Sequence, residues 1–424
     1  MDYCPAAFIG DRFVTNSLQN VSNGLDYTVK TRMRFSIDAH TIGRHLTGNE
    51  VYVRNLLENY ARLDRESQFV VYVCSEQAAS AIPNRFEKRY VAVNPFVRLG
   101  VHLSQLLMSD KPDLLHVQYT APLYCPVPLV VSVHDVSYLE RPEYFTASRR
   151  WQLQLSVGNT VPRAARIVTP SEFSRQRILS AYKLDPDLID VIYNAVSPEF
   201  RPISPTAAFT RVSNRFGVQW PFVLCVGDLQ PRKNQIGLIS AFAELLQERP
   251  ELPHHLLLVG KPTLFAPKVY EAAKQSGIAD RIHFTGFVND EDLLYLYNAA
   301  EIFVFPSFYE GFGLPILEAQ ACGRAVACSN TSAMPEVADS AALLFDPNSQ
   351  EEMRLAMRDL LIDPELRQRM ERLGQKNVSR FSWEKAASKT LDVYYDVAGQ
   401  GASSDRAKQP LGRNAKTRAA VPSS

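Results

Sequence analysis

Short strand-like runs alternate with helical stretches twice along this chain, and this alternation constrains its fold more than any other feature. One set of runs lies between residues 34 and 193, and a second set lies between residues 222 and 328. Stretches with helical periodicity, such as residues 50–63 and 174–182, fill most of the gaps. The pattern is typical of parallel sheets with crossover helices, so the sequence predicts an α/β fold with two doubly wound domains.

The boundary between the two sets falls at a proline-rich stretch. A chain of 424 residues exceeds what one hydrophobic core usually supports, so two domains are expected from length alone. In the first set, the third predicted strand covers residues 90–93, and in the second set the last covers residues 325–328. Prolines and polar residues interrupt both periodicities over residues 198–218, where we expect the linker. The predicted domains therefore cover residues 33–205 and 218–382.

Both ends of the chain lack the pattern of a packed domain. Residues 1–32 show little periodicity, and the first strand-like run begins abruptly after Met33. We interpret residues 1–32 as a disordered extension, with a translation start at Met33 as the alternative. Residues 400–424 carry few apolar side chains and cannot offset the entropy of ordering, so a disordered tail is predicted there.

Composition excludes several classes of protein. The 46 basic and 45 acidic residues nearly cancel, so a role in binding nucleic acid is not supported. Six scattered cysteines show no paired metal or redox spacing, which favours a reduced, cytoplasmic protein. The sequence has neither a long apolar run nor a secretion signal, so we expect a soluble chain. Peripheral attachment to the inner face of a membrane is compatible with this composition.

One short segment combines a strand end, a glycine-bearing loop and a helix start. Glu310 lies in the loop, Gly311 and Gly313 permit close backbone approach, and Pro315 suits the first helical turn. Glu318 is expected in that first turn. Backbone N–H groups at such a helix start can bind a phosphate, and the two carboxylates can accept hydrogen bonds from hydroxyl groups on either side of it. The alternative is that Glu310 is an ordinary loop residue and that Glu318 complements the helix dipole.

The segment from Glu310 to Glu318 resembles the E-x7-E signature of retaining glycosyltransferases of family 4, including the intervening Gly-Phe-Gly-Leu-Pro. That resemblance implies a GT-B fold, in which two Rossmann-like domains face each other across a cleft. It also implies transfer of a sugar from a nucleotide diphosphate to an acceptor hydroxyl. The first domain would then lie on the acceptor side and the second would bind the nucleotide sugar. A helix at residues 384–398 would cross back to complete the first domain.

Two adjacent cations, Arg232 and Lys233, lie between a predicted strand and a predicted helix. On the residues alone, a solvated basic pair is the alternative. Their setting resembles the phosphate-binding segment of the family, so the resemblance assigns both to the leaving diphosphate, where they would replace a metal ion. We expect no metal site and no cofactor, because the D-x-D run at residues 185–187 is better explained as turn chemistry.

The first domain contributes fewer candidate residues. His134 ends an apolar strand, and the resemblance implies that it touches the donor sugar. Gly48 corresponds to the first glycine of a family motif and is expected near the phosphate, whereas Glu50 replaces the second glycine of that motif. Capping of the following helix and recognition of an acceptor hydroxyl remain the two alternatives for Glu50.

The resemblance completes the candidate site with backbone groups. Glu310 would bind hydroxyl groups of the donor sugar and Glu318 those of the ribose. The predicted catalytic residues are Glu310, His134, Arg232 and Lys233. The other predicted donor-binding residues are Gly48, Gly286, Phe287, Val288, Gly311, Phe312, Gly313, Leu314 and Glu318.

The function predicted from these parts is retaining transfer of a hexose, with the acceptor attacking from the side of the leaving group. GDP-mannose is the preferred donor, and the acceptor would be a glycan or a lipid-linked saccharide. A nucleotide-sugar epimerase and a non-catalytic protein that binds sugar nucleotides are the alternatives. A dinucleotide-dependent oxidoreductase is disfavoured, because the first strand-to-helix turn lacks the required glycine triplet.

Overall fold

Thirteen strands in two parallel sheets are found in residues 32–43 and 47–408, the part of the chain that the computed structural model describes. They are β1 Arg34–Asp38, β2 Gln68–Val73, β3 Glu87–Tyr90, β4 Leu114–Gln118, β5 Leu129–Ser132, β6 Arg166–Thr169, β7 Ile189–Val191, β8 Phe222–Val226, β9 His255–Val259, β10 Ile282–Gly286, β11 Ile302–Phe305, β12 Ala325–Ser329 and β13 Leu343–Phe345. The strand orders are β3-β2-β1-β4-β5-β6-β7 and β10-β9-β8-β11-β12-β13. Both sheets belong to one compact unit that begins at Met33.

Helices connect the parallel strands and cover both faces of each sheet. They are α1 Thr47–Leu63, α2 Glu76–Ser80, α3 Pro95–Val97, α4 Leu103–Asp110, α5 Ser137–Glu140, α6 Ala147–Thr160, α7 Glu172–Tyr182, α8 Pro205–Phe216, α9 Gln235–Glu248, α10 Ala266–Gln275, α11 Asp290–Ala299, α12 Leu314–Ala321, α13 Met334–Ala338, α14 Gln350–Ile362, α15 Pro364–Val378 and α16 Trp383–Lys408. Because the helices cover the sheets, inner strands such as β4 and β5 are buried along their whole length. The two doubly wound halves predicted from the sequence are present.

The stretch expected to be a linker contains a helix instead. Helix α8 packs against α11 of the second half, and Arg211 of α8 pairs with Asp292 at 3.1 Å. Its ends carry standard signals, because Ser204 caps the first turn and Gly217 ends the helix with φ of 71°. The prediction of a linker over residues 198–218 was therefore wrong at residues 205–216. Residues 198–204 and 217–218 of the predicted linker lack a helix or strand.

Edge strands differ most from the sequence predictions. The third strand lies at Glu87–Tyr90 and not at residues 90–93. The strand was missed because its charged residues give no apolar pattern. An edge strand tolerates charge, and Glu87 accepts a hydrogen bond from Arg34 at 2.6 Å. Strand β13 at the edge of the second sheet was missed because its three residues are too few to show a period.

The last helix, α16, packs against α1 of the first half. A buried polar network holds it there: Tyr394 bonds to Nδ1 of His116, whose Nε2 lies 2.7 Å from Oγ of Ser132. The hydroxyl of Tyr52 on α1 lies 2.7 Å from the same Oγ. Burial lowers the pKa of His116 to about 3, so the network is neutral at physiological pH.

The chain ends were predicted to be disordered, and most of both lies outside the described residues. Helix α16 continues to Lys408, so the start of the tail at residue 400 was wrong. The helix can continue because the first proline after Trp383 is Pro410. Within the described part of the chain, no helix has the length and apolar character needed to cross a bilayer.

Candidate functional site

The two predicted cations lie in the loop after β8, and they share one carboxylate. Nη1 of Arg232 lies 2.6 Å from Oε2 of Glu310, and Nζ of Lys233 lies 2.6 Å from Oε1. Arg232 also donates to the carbonyl oxygen of Tyr309 at 2.7 Å. The structure therefore brings Arg232, Lys233 and Glu310 into one group, which we call the charged triad.

The charged triad is largely withdrawn from water. The side chains of Arg232, Lys233 and Glu310 are only 17%, 12% and 10% exposed, so the solvated basic pair considered above is wrong. Burial alone would raise the pKa of Glu310, but Arg232 and Lys233 outweigh it and lower the pKa to about 2. Glu310 is therefore ionised at physiological pH, and burial lowers the pKa of Lys233 while Glu310 opposes that shift.

Backbone geometry fixes the position of Lys233. Its aliphatic chain passes over Gly227, where a Cβ atom would lie 3.1 Å from Cδ, and its Nζ lies 4.9 Å from the centre of the Phe305 ring. Gly227 itself has φ of 154°, which favours glycine. The loop that follows β8 thus needs a glycine to hold the ammonium group against β11.

Gly311, next to Glu310, joins the two halves of the molecule. A Cβ atom at Gly311 would lie 2.1 Å from the carbonyl oxygen of His134, so only glycine fits there. The carbonyl oxygen of Gly311 accepts hydrogen bonds from the hydroxyls of Ser171 and Ser174 at 2.7 and 3.1 Å. The predicted residues Glu310, Gly311 and His134 therefore lie together where the carboxyl ends of the two sheets meet.

Glu336 provides a second connection between the halves. Its carboxylate accepts from the backbone N–H groups of Glu172 and Phe173, at 2.8 and 3.1 Å, in the first turn of α7. A carboxylate at a helix start satisfies N–H groups that have no partner within the helix. No motif in the sequence indicated this role.

The start of α12 carries the other predicted backbone groups. Gly313 precedes the helix with φ of 107°, and Leu314 is its first residue. The ring of Phe312 turns into the core against Phe381, at a centroid distance of 5.7 Å. Only the backbone of Phe312 is thereby left to face a ligand.

Glu318 lies in the second turn of α12 and not in the first as predicted. The effect of a helix dipole falls off within the first turn, so the dipole interpretation loses its basis. The hydroxyl of Tyr297 donates to Oε2 of Glu318 at 2.8 Å. Burial is the main cause that raises the pKa of Glu318 to about 7, although the Tyr297 hydrogen bond acts in the opposite direction.

His134 faces neutral groups. Its Nε2 lies 3.1 Å from Oε1 of Gln118, and its ring meets those of Tyr52 and Tyr119 edge-on at 4.8 and 5.5 Å. Burial lowers the pKa of His134 to about 4, and Asp135 only partly opposes this. The imidazole is neutral at physiological pH.

Glu50 serves the loop between β1 and α1. Its Oε1 accepts from the backbone N–H of Gly43 at 3.1 Å and from Arg54 at 2.6 Å. Gly43 belongs to the loop before α1, so the first bond fastens that loop and is not a cap of the helix. Both alternatives for Glu50 stay predictions. Gly48 lies in the first turn of α1 and is exposed, and residues 44–46 before it are outside the described part.

The predicted donor-binding residues Gly286, Phe287 and Val288 lie at the end of β10 and directly after it. Gly286 has φ of 73° and accepts from the N–H of Gly260 at 2.9 Å. Nζ of Lys261 lies 4.7 Å from the centre of the Phe287 ring, which is 47% exposed, and Val288 packs partly against the core. These residues are positioned at the carboxyl end of the second sheet, like the charged triad.

Sequence reasoning missed Gln118, which ends β4, and Tyr119, which follows it. Tyr119 has φ of 60°, a strained conformation for a bulky residue and a frequent sign of a functional position. Their place at the carboxyl end of a parallel strand was the only available signal. Among the described residues, no group of three or more His, Cys, Asp or Glu side chains is arranged to hold a metal ion.

Two family models match the two halves. Residues 46–200 match "Glycosyltransferase Family 4" and residues 208–377 match "Glycosyl transferases group 1". The O-antigen chain mannosyltransferase B of Escherichia coli is 35% identical over 266 residues, which cover 62% of this chain and 69% of that protein.

Further similarity extends to longer proteins and to solved structures. The serotype-specific mannosyltransferase WbdA of Escherichia coli is 30% identical over 234 residues, and the match spans 55% of this chain but only 29% of WbdA. The structure of sucrose-phosphate synthase from Thermosynechococcus elongatus superposes with a TM-score of 0.70 at 18% identity, covering 87% of this chain and all of that one. At that identity the superposition shows the shared fold.

Proposed function

Because this chain belongs to the glycosyl transferases group 1 family and has the GT-B fold, we propose that it transfers a hexose from a nucleotide diphosphate sugar to an acceptor hydroxyl. The observation that carries the proposal is the charged triad. Two buried cations beside the start of α12 form a binding site for an anion that has two phosphate groups. Glycosyl transfer from a nucleotide sugar requires such a site at the leaving group.

In the proposed mechanism the anomeric configuration is retained. Arg232 and Lys233, with N–H groups between Gly311 and Leu314, stabilise the diphosphate as the bond to the anomeric carbon breaks. The acceptor hydroxyl attacks that carbon from the same face and passes its proton to a phosphate oxygen. Glu310 accepts hydrogen bonds from sugar hydroxyls and Glu318 from the ribose hydroxyls.

The two cations supply the charge that a divalent ion would supply in a metal-dependent transferase, so we propose transfer without a metal. The test is an assay in excess EDTA, where the rate should equal the rate without chelator. NMR of the product should show the anomeric configuration of the donor. Restoration of a lost rate by magnesium or manganese, or an inverted product, would contradict this mechanism.

Mannose is the proposed sugar and GDP-mannose the proposed donor. The support is that the two Escherichia coli relatives are mannosyltransferases by name. Thermal unfolding in a panel of nucleotide sugars identifies the donor, since a ligand at 100 times its dissociation constant adds about 2.7 kcal/mol of stability. We expect the largest shift with GDP-mannose. A larger shift with a uridine nucleotide would refute the proposed base.

A glycan or a lipid-linked saccharide is the proposed acceptor, and we also propose peripheral contact with an anionic membrane. The support is α6, where Trp151 and Leu155 are more than half exposed and four residues apart. The helix contains Arg149 and Arg150 but no acidic residue, a combination that suits anionic lipid. Two further exposed side chains, Leu123 and Tyr124, follow β4 in the same half.

Sedimentation with lipid vesicles tests this contact. The wild type should bind vesicles rich in phosphatidylglycerol and not vesicles of phosphatidylcholine alone, and Trp151→Ser with Leu155→Ser should abolish binding. Leu264→Ser is the matched control, because Leu264 is 83% exposed in the second half. Equal binding by the double variant would contradict the assigned surface.

A further inference from the structure

The contact between Gln118 and His134 is a hydrogen bond with a defined donor and a defined acceptor. Gln118 ends β4, and His134 follows the neighbouring strand β5, so the register of the sheet sets the two side chains side by side. Oε1 of Gln118 lies 3.1 Å from Nε2 of His134. An amide oxygen only accepts hydrogen bonds, so this orientation of the Gln118 amide pairs with a proton on Nε2 of His134.

A third residue lies at the nitrogen end of the Gln118 amide. Nε2 of Gln118 lies 3.4 Å from Oγ1 of Thr41, on the opposite side of the amide from His134. Gln118 and Thr41 are 5% and 2% exposed, so neither side chain is free to rotate into solvent. Thr41, Gln118 and His134 follow or end three adjacent strands, and they form a chain of hydrogen bonds along the carboxyl edge of the first sheet.

We infer that Gln118 is a positioning residue that holds His134 as the Nε2–H tautomer, so that Nδ1 accepts a hydrogen bond from a hydroxyl of the donor sugar. This inference rests on the proposed function, because it requires that a sugar hydroxyl reach His134. It assigns a direction to that contact: the sugar donates the proton and the protein accepts it.

A hydrogen bond donated by the sugar to His134 would make the site specific for sugars that carry this hydroxyl. A site built to receive a hydroxyl is left with an unpaired acceptor when a deoxy sugar binds, and such sites reject the analogue strongly. A fluoro sugar fails for the same reason, because fluorine cannot donate. Discrimination against both analogues should therefore depend on Gln118, which itself does not touch the sugar.

The surroundings of His134 support a neutral ring. Asp135 is the charged group beside it on its own segment, and the neutral His116 lies nearby on β4. The rings of Tyr52 from α1 and Tyr119 after β4 cover its edges. Since burial keeps the pKa of His134 low, tautomer choice and not protonation decides which nitrogen accepts.

The first test needs no substrate. The protein contains eight histidines, and selective ¹⁵N labelling with comparison to His134→Phe identifies the His134 signals by NMR. We expect a protonated Nε2 and a bare Nδ1 in the wild type. The isosteric Gln118→Met should give a mixture of both tautomers. A protonated Nδ1 in the wild type, or an unchanged tautomer in Gln118→Met, would overturn the inference.

The second test uses the donor. We expect Gln118→Met to lose about tenfold in kcat/KM for the natural donor and to discriminate less against its deoxy analogue, with thermal stability followed to detect misfolding. Gln118→Glu replaces the amide with a carboxylate that favours the doubly protonated ring. Its rate should fall at neutral pH and recover as the pH rises.

The two tests separate failure of the inference from failure of the proposed function. If the tautomer follows Gln118 but no nucleotide sugar is bound or transferred, the proposed function is wrong and the positioning role stands. If transfer occurs while Gln118→Glu keeps the wild-type pH profile, Gln118 has only a structural role and the inference is wrong.

Discussion

The loops after β8 and β11 hold a group of ionised side chains, whereas the two side chains in contact at the ends of β4 and β5 are neutral, with Asp135 beside them. On the second sheet, Glu310 joins Arg232 and Lys233. On the first, Gln118 and His134 are uncharged. The two edges meet at Gly311, yet they use different chemistry. The difference indicates a division of labour: the charged edge suits an anionic diphosphate and the neutral edge suits sugar hydroxyls.

The strongest challenge to this comparison is removal of a cation. Lys233→Ala should reduce transfer by about 30- to 1,000-fold, corresponding to ~2–4 kcal/mol, because a fixed charge at the leaving group is lost. Steady-state kinetics measures the loss. Lys268→Ala, on the exposed face of α10, is the control and should be unaffected. Near-normal turnover of Lys233→Ala would show that the charged triad does not stabilise the leaving group.

The second prediction concerns the stability of the charged triad. Glu310→Gln leaves Arg232 and Lys233 without their shared counter-ion, and breaking such a buried pair costs about 3 kcal/mol. We expect a lower unfolding temperature and a larger stabilisation by added nucleoside diphosphate than in the wild type. Glu351→Gln is the control, because Glu351 is 63% exposed in its pair with Arg354. An unchanged unfolding temperature for Glu310→Gln would show that the triad is not a tightly coupled group.

The smallest predicted effect is a pH dependence from Glu318. Its pKa in the folded protein is raised from 4.5 to about 7, so its protonated form contributes stability that is lost as the pH rises between these values. Ionised Glu318 is the better acceptor for ribose hydroxyls, so donor affinity should increase up to about tenfold as the pH rises through 7. Calorimetric titration measures it. In Glu318→Gln the affinity should no longer change with pH.

Sequence reasoning succeeded where a motif or an uninterrupted pattern carried the information. Inner strands such as β4 and β11 lie within the two predicted sets of strand-like runs, because burial on both faces gives continuous apolar runs. The pattern failed at β3, β13 and α8, where charge, short length and prolines hid the element. Strands β3 and β13 are stabilised by pairing at the edges of their sheets. Helix α8 is stabilised by packing against a neighbouring helix.

The candidate site divides in the same way. Glu310, Arg232 and Lys233 were predicted as separate residues, but the sharing of one carboxylate by two cations could not be read from their spacing. Gln118 and Glu336 were not predicted, because each acts through a partner on another element, 16 and 164 residues away in sequence. Contacts of that kind are fixed by sheet register and by the approach of the two halves, and neither leaves a local signature.

Titration of the nucleoside diphosphate and its sugar conjugate into two variants tests the division of labour most directly. Lys233→Ala should weaken both ligands by the same factor, because both carry the diphosphate. His134→Ala should weaken only the nucleotide sugar and leave the nucleoside diphosphate unchanged. Equal losses for both ligands in His134→Ala, or full affinity for both in Lys233→Ala, would contradict the account.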